Sequence, residues 1–271
     1  MVTSPLKDLP IGVFDSGVGG LTVLKDLLKK LPNESFYYLG DTARVPYGTR
    51  SKETVIKYAR SCVKFLLSKD VKILVIACHT ASSYAIPVLK SEIELPIIGV
   101  VEPGARSAVR KTKNNRIGII GTEGTIRSGS YQTHIKILNP DVEVFSRSCP
   151  LFVPLVEEGW VEGQVPYLIA QEYLHSLILN KIDVLLLGCT HYPLLIPTIS
   201  KLTTSIEIVD SSKETAEEVY NVLKSKNLIR ENIDTINQSV RYYVTDNPEK
   251  FVEVGQRILG SPIENVEWID L

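Results

Sequence analysis

Short apolar runs alternate with longer stretches of helical periodicity along most of this chain. In the first hundred residues the apolar runs predict strands, and the amphipathic stretches between them predict helices. The strands are predicted at residues 11–14, 36–39, 73–77 and 97–101, and the helices at 21–31, 51–67 and 80–89. Continuous apolar runs are typical of strands that are buried on both faces of a parallel sheet. The alternation therefore predicts an α/β fold with mainly parallel sheets.

The same order restarts near residue 116. Strands are predicted at 116–120, 142–145, 184–187 and 206–209, and helices at 126–138 and 167–179. The opening strands carry Ile11 and Ile117, which are 106 residues apart, and the third strands lead into Cys78 and Cys189, which are 111 apart. Similar offsets predict one module used twice. We therefore expect two pseudo-symmetric domains, each a parallel sheet flanked by helices, with the active site in the cleft between them.

The segment from residue 211 to the C-terminus adds a further set of elements. Its pattern predicts a helix at 213–224, a strand at 241–244, a helix at 248–259 and a terminal strand. The pattern alone leaves open which half this segment joins.

Composition and charge exclude several functional classes. Among the 271 residues, 44% are hydrophobic and 23% are charged, as in an ordinary soluble globular protein, and the net charge is −1. This charge predicts no nucleic-acid partner and no membrane partner. The first ten residues lack a signal-peptide core, so we expect a cytoplasmic protein. The four cysteines show no C-x-x-C spacing, which predicts free thiols in a reducing compartment.

The two repeated cysteines are the strongest candidates for chemistry. Each comes directly after a predicted buried strand and before a helix start, where ligands bind in open α/β sheets. A helix start and nearby cations stabilise a thiolate. Two thiols on opposite sides of one carbon would allow one to remove a proton while the other supplies one. A lone cysteine is more often a buried packing residue, and we interpret Cys62 and Cys149 in that way.

Glycine-rich and polar turns follow several of the predicted strands. Residues 15–20, Asp-Ser-Gly-Val-Gly-Gly, fit no nucleotide-binding pattern and favour a small carboxylate at a helix start. Asp15 could instead be a helix N-cap. The loop at 40–48 offers the Tyr47 hydroxyl and the Gly48 N–H. Thr80 and Thr190 could bind substrate or cap the next helix.

Two further residues could assist the second thiol. His191 lies two positions after Cys189 and titrates near neutral pH, while Glu157 is a weaker candidate for a supporting carboxylate. His134 and His175 are interpreted as packing residues. We predict no metal site, although cysteine and histidine from both halves could form a mixed metal site across the cleft.

These segments together resemble the glutamate racemase family within the aspartate/glutamate racemase fold. The matching stretches run in family order and are residues 15–20, 40–48, 77–82, 101–104 and 188–193. The resemblance implies cofactor-independent interconversion of L- and D-glutamate, with the D-isomer used for peptidoglycan. It implies that Cys78 acts on the D-side and Cys189 on the L-side. It also implies a homodimer, and a C-terminal segment that returns to the first domain, giving domains of 1–99 with 211–271 and of 100–210.

The resemblance also implies a set of site residues. The predicted catalytic residues are Cys78, Cys189, Asp15, His191 and Glu157. The predicted substrate-binding residues are Asp15, Ser16, Pro46, Tyr47, Gly48, His79, Thr80, Thr122, Thr190 and His191. One departure is His79, since the family usually has Asn at this position, and a cationic His79 would lower the pKa of the Cys78 thiol. Alternatives are a racemase of another acidic amino acid such as aspartate, a ligand-binding protein without turnover, and a thiol-redox protein.

Overall fold

The computed structural model describes residues 6–230 and 238–271, and the helices and strands given below are those of the described residues. The strands are β1 (Ile11–Asp15), β2 (Phe36–Gly40), β3 (Ile73–Ile76), β4 (Ile97–Gly99), β5 (Arg116–Gly121), β6 (Glu143–Ser148), β7 (Val184–Gly188), β8 (Glu207–Asp210), β9 (Val240–Val244) and β10 (Val266–Trp268). The helices are α1 (Leu21–Lys30), α2 (Lys52–Leu67), α3 (His79–Glu92), α4 (Val101–Lys111), α5 (Glu123–Arg127), α6 (Ser130–Leu138), α7 (Phe152–Glu157), α8 (Gln164–Leu179), α9 (Ile196–Ser200), α10 (Ser212–Ser225) and α11 (Pro248–Leu259). Short 3₁₀ turns lie at Leu6–Asp8, Tyr47–Thr49 and Tyr192–Leu195.

Within the described residues the strands form two parallel sheets. The first has the order β10-β9-β2-β1-β3-β4 and the second the order β6-β5-β7-β8. The order β2-β1-β3-β4 of the first sheet thus recurs as β6-β5-β7-β8 in the second. This confirms the predicted fold class, an α/β protein of two pseudo-symmetric domains with helices flanking parallel sheets. The C-terminal strands β9 and β10 extend the first sheet beyond β2.

The central strands β1, β3 and β7 are buried along their whole length, which is why their sequences are mainly apolar. In β7, Val184 and Leu186 pack into one apolar cluster, whereas Leu185 and Leu187 pack into another on the opposite face. In β1, likewise, the side chain of Val13 faces α1 and α10, and that of Phe14 faces α2 and α3. Because successive side chains of a strand point to opposite faces, an unbroken apolar run fills both layers. No helix in the described part of the chain is long and apolar enough to cross a membrane.

Several helical segments differ from the prediction, and the short helices α7 and α9 were not predicted at all. The predicted helix at 126–138 is interrupted, since Gly129 adopts a φ of 66° and separates α5 from α6. Helix α4 was not predicted, because its Pro103-Gly104 pair is typical of a turn. Pro103 is tolerated because it lies in the first helical turn, where the backbone N–H has no partner within the helix.

The topology brings the loops of both modules to one place. Strands β1 and β3 pair directly in the first sheet, as β5 and β7 do in the second. Their carboxyl ends lead into the segments at 15–20, 77–80, 121–125 and 188–191. The carboxyl edges of the two sheets therefore face each other, and the candidate site lies between them.

Candidate active site

A small cavity lies between the carboxyl edges of the two sheets. Its walls come from both halves of the chain. They are formed by Ser16, Val45, Pro46, Tyr47, Gly48, Cys78, His79, Thr80, Thr122, Val153, Cys189, Thr190 and His191. The structure thus brings most of the predicted site residues together. Asp15 and Glu157 do not line the cavity but contact residues that do.

Both repeated cysteines line this one cavity. Cys78 follows β3 and immediately precedes α3, and Cys189 follows β7 and precedes the turn at Tyr192–Leu195. Their exposed fractions are 6% and 5%, so neither thiol is fully sealed in the interior. The two sulfur-bearing side chains therefore reach the same enclosed space from opposite sheets.

The surroundings of Cys78 favour the neutral thiol. Burial raises the pKa of the Cys78 thiol to about 12, and the nearby charge of Asp15 acts in the same direction. The Ser16 side chain and the backbone of Ala81 oppose this shift but do not overcome it. At neutral pH Cys78 therefore carries its proton.

The surroundings of Cys189 are different, because a histidine lies beside it. His191 Nδ1 is 3.8 Å from Cys189 Sγ, and His191 Nε2 is 3.2 Å from Glu157 Oε1. Burial by itself lowers the pKa of His191, but the contacts with Cys189 and Glu157 outweigh it and raise the pKa to about 10. His191 is therefore an imidazolium at neutral pH that donates from both ring nitrogens. It provides a counter-ion for an anionic sulfur at Cys189.

Asp15 lies behind the cavity wall and connects the two halves. Its Oδ2 accepts a hydrogen bond of 3.0 Å from the Gly17 N–H, and its Oδ1 accepts one of 3.5 Å from the Thr190 hydroxyl. Burial raises the pKa of this carboxyl group, and the positive charge of His191 opposes the rise. The carboxylate therefore influences both thiol neighbourhoods without itself facing the cavity.

The glycine-rich turn after β1 brings the backbone close to the other half of the protein. A Cβ atom at Gly19 would lie 2.5 Å from both His191 Nδ1 and Thr190 Oγ1. Only a glycine allows the start of α1 to approach the Cys189 segment this closely. The turn was predicted to approach a ligand, and the structure shows that it also positions His191.

Three hydroxyl groups form a cluster on another side of the cavity. Thr80 Oγ1 lies 2.8 Å from Thr122 Oγ1 and 3.1 Å from Thr125 Oγ1, and the Thr122 hydroxyl donates to Thr125 Oγ1 over 3.0 Å. Thr122 also accepts from the Thr125 N–H and so caps α5. The cluster joins α3 to α5 across the cleft. Thr125 had not been proposed as a site residue, although the turn at 121–125 contains it.

The loop at 40–48 closes the cavity with backbone and apolar atoms. The hydroxyl of Tyr47 donates to Asp41 Oδ2 and is therefore already engaged away from the cavity. A Cβ atom at Gly48 would lie 2.5 Å from Thr122 Cβ, so this close crossing requires glycine. Val45 and Val153 add apolar walls that sequence reasoning had missed, because a single valine gives no functional signal.

The structure does not support a cationic His79, which was considered from the sequence. Its Nε2 lies 3.1 Å from Ser211 Oγ, and its ring is 3% exposed. Burial lowers the pKa of His79 to about 3, against a weaker opposing effect from the Leu187 carbonyl. His79 is therefore neutral at working pH, and a lowering of the Cys78 pKa by a cationic His79 does not occur.

Most of the chain matches one known protein family. The family model of Asp/Glu/Hydantoin racemases matches residues 11–219. A glutamate racemase from Geobacter metallireducens is 49% identical over 262 residues, covering 96% of this chain and 96% of its own length. The chain belongs to the Asp/Glu/Hydantoin racemase family.

Solved structures of family members have the same fold over nearly their whole length. A glutamate racemase from Francisella tularensis, crystallised with D-glutamate, is 39% identical with a TM-score of 0.92, covering 97% of this chain and 98% of its own. A glutamate racemase from Bacillus anthracis is 39% identical with a TM-score of 0.93, covering 98% of each chain. This racemase-family chain thus shares its overall fold with these enzymes.

Proposed function

We propose that this protein interconverts L- and D-glutamate without a cofactor, using Cys78 and Cys189 as a pair of opposed acid and base. The observation that carries the proposal is that both thiols, from equivalent strands of the two sheets, line one enclosed cavity. The family membership and the glutamate racemases that match along the whole chain support the substrate.

The electrostatics of the site give the two cysteines complementary roles. From L-glutamate, the Cys189 thiolate takes the α-proton: the Cα–H bond breaks and an S–H bond forms. The Cys78 thiol then gives its proton to the opposite face of the carbanion and becomes the thiolate. The reverse reaction starts from D-glutamate with the roles exchanged. His191, held by Glu157, stabilises the negative charge on the Cys189 side.

The remaining lining residues hold the amino acid while its α-proton moves. The hydroxyls of Ser16, Thr80, Thr122 and Thr190 and the Gly48 N–H offer hydrogen bonds to carboxylate and ammonium groups. Pro46, Tyr47 and His79 shape the wall. Since an amino-acid carbanion is poorly stabilised, fixed donors in a site that excludes water supply the stabilisation that solvent would not.

The small, enclosed cavity implies that the protein opens to admit substrate. Its two walls belong to different sheets, so a relative movement of the two halves would expose it. We propose domain limits of 1–99 with 211–271 and of 100–210. The sheet membership of β9 and β10 supports assigning the C-terminal segment to the first of these.

We further propose that the enzyme is a cytoplasmic homodimer that supplies D-glutamate for peptidoglycan. These statements rest on the resemblance and on the glutamate racemases among the relatives. Sedimentation equilibrium of the purified protein measures the assembly state, and D-glutamate auxotrophy after gene deletion tests the role in the cell wall.

The decisive experiment follows α-hydrogen exchange and inversion in heavy water. We expect purified protein, freed of pyridoxal phosphate and of metal by a chelator, to convert either glutamate enantiomer to the racemate and to incorporate deuterium at Cα. Side-by-side rates on aspartate test the alternative substrate. Absence of exchange with glutamate, together with glutamate binding in calorimetry, would establish a binding protein instead.

A further inference from the structure

His79 and Ser211 form a buried contact between the start of α3 and the junction of β8 with α10, next to the cavity. The Ser211 side chain lies between β8 and α10 and is completely buried, and its Oγ is 3.1 Å from His79 Nε2. These two residues are 132 positions apart in the chain. Ser211 is the N-cap residue of α10 but its side chain makes no capping bond, so its hydroxyl is available for His79.

The contact joins the two backbone segments that carry the thiols. His79 directly follows Cys78. Ser211 directly follows Asp210, which pairs with Leu187 between β8 and β7, and Leu187 lies two residues before Cys189. A short path therefore leads from one cysteine to the other through the His79–Ser211 contact, without crossing the cavity.

The surroundings of the contact restrict its movement. The rings of His79 and Tyr131 have their centroids 6.1 Å apart. A Cβ atom at Gly104 of α4 would lie 3.1 Å from Ser211 Cβ and 3.2 Å from the Tyr131 hydroxyl, so α4 passes tightly over the pair. Close packing on this scale transmits displacement rather than absorbing it.

The imidazole of His79 does not act through charge. Its burial keeps it neutral at working pH, and only 3% of the residue is exposed. Its contribution must therefore come from its shape and from its hydrogen bond with Ser211.

We propose that His79 and Ser211 are positioning residues that set the separation between the Cys78 and Cys189 thiols. The inference rests on the proposed racemisation, in which one thiol must reach Cα from each face at the same time. Removing the contact would leave each thiol chemically intact but allow the two loops to move apart. A displacement of about 1 Å at a reacting group lowers a rate about 100-fold.

The expected signature separates inversion from exchange. Abstraction and return of the α-proton on one face needs only one thiol in place, whereas inversion needs both. Loss of the contact should therefore lower inversion more than exchange with retained configuration. General destabilisation would remove active molecules and lower both by the same factor.

The test compares four variants of the full-length protein in heavy water, with deuterium at Cα followed by NMR and enantiomers by chiral chromatography. Ser211→Ala removes the hydroxyl. His79→Asn keeps a polar atom near the Nδ1 position only, and His79→Gln keeps one near the Nε2 position that reaches Ser211. Ser83→Ala is the matched control, since Ser83 lies on the same helix α3 and its buried hydroxyl has no hydrogen-bond partner among the described residues.

We expect the ratio of exchange to inversion to rise about 10-fold to 100-fold in Ser211→Ala and His79→Asn. The ratio in His79→Gln should lie nearer to that of the wild type. The ratio in Ser83→Ala should equal that of the wild type. A wild-type ratio in either Ser211→Ala or His79→Asn overturns the inference, even if the overall rate falls. The inference is also overturned if His79→Gln raises the ratio of exchange to inversion while His79→Asn leaves it unchanged. The ring would then act on substrate through its Nδ1 side. A wild-type enzyme that neither exchanges nor inverts glutamate contradicts the proposed function itself.

Discussion

Cys78 and Cys189 occupy equivalent positions in two copies of one module, yet their electrostatic surroundings are opposite. Cys78 is buried beside the carboxylate of Asp15, which raises its pKa and keeps it protonated. Cys189 lies beside an imidazolium that Glu157 holds in place. A duplicated scaffold provides two groups aimed at one point. Residues that the two copies do not share keep Cys78 protonated and place a counter-ion beside Cys189.

The difference arises from a few positions in the repeat. With Ile11 aligned to Ile117, Asp15 corresponds to Gly121, so only the first copy carries a carboxylate at its strand end. After each cysteine, histidine and threonine occur in opposite order. At the first position after the cysteine, His79 turns to Ser211, whereas at the second position His191 reaches the sulfur. The order of histidine and threonine after each cysteine thus decides whether the histidine contacts Ser211 or places a positive charge beside the thiol.

The largest expected effect comes from removing either thiol. Cys78→Ser and Cys189→Ser should each abolish racemisation, a loss of about 10⁴-fold, at the upper end for a positioned acid or base. Each variant keeps one thiol, so α-deuterium exchange should persist from L-glutamate in Cys78→Ser and from D-glutamate in Cys189→Ser. Cys149→Ser, a buried thiol outside the cavity, is the control. Near wild-type racemisation in either of the first two variants would remove that cysteine from the mechanism.

The next effect concerns the charge beside Cys189. His191→Asn keeps a polar group near the sulfur but cannot become cationic, and we expect kcat to fall about 100-fold in both directions. His175 was interpreted as a packing residue, but the structure shows it exposed on α8. His175→Asn should therefore leave kcat unchanged. Equal losses of kcat in His191→Asn and His175→Asn would show that the imidazolium contributes nothing specific beside Cys189.

Glu157 gives a finer test of the same charge. Glu157→Gln removes a negative charge 3.2 Å from His191 Nε2, so the pKa of His191 should fall from about 10. The alkaline limb of the kcat profile should move to lower pH by about one unit, the equivalent of about 1.4 kcal/mol of lost interaction. Glu158→Gln, whose carboxylate contacts Lys250 at the surface, is the matched control. If the alkaline limb of the kcat profile does not move, Glu157 does not influence the titration of His191.

The last effect is on stability rather than on rate and concerns His79. The unfolded chain takes up a proton on this side chain below about pH 6.5, but the folded protein resists it until about pH 3. The free energy of unfolding should therefore fall as pH drops from 6.5 towards 3, by at most about 1.4 kcal/mol per pH unit from this group. Urea titrations at several pH values should show a shallower fall in His79→Asn, while His175→Asn should follow the wild type.

Much of the fold could be predicted from the chain because its signals are local. The strands β1, β3 and β7 are unbroken apolar runs, and burial on both faces of a parallel sheet requires such runs. Helix α4 was missed because Pro103 and Gly104 favour a turn unless their neighbours are known. Gly104 is explained only by Ser211 and Tyr131, which lie far away in sequence.

The candidate site, like the fold, could be predicted from the sequence only in part. The turns after the strands marked most of the residues that line the cavity, since strand ends carry ligands in α/β proteins. Val45, Val153 and Thr125 gave no distinct signal because their roles depend on neighbours from other loops. Tyr47 was identified, but its hydroxyl is bound to Asp41, a contact that no sequence spacing reveals.

By itself, the sequence determined the strand and helix modules, their duplication and the two cysteines at equivalent strand ends, because hydrophobic period and spacing are properties of the chain alone. Only the tertiary structure decided the protonation of His79 and His191, the joining of the C-terminal strands to the first sheet, and the meeting of both thiols in one cavity. Those features depend on burial and on charges brought together from distant segments, and neither exists until the chain has folded.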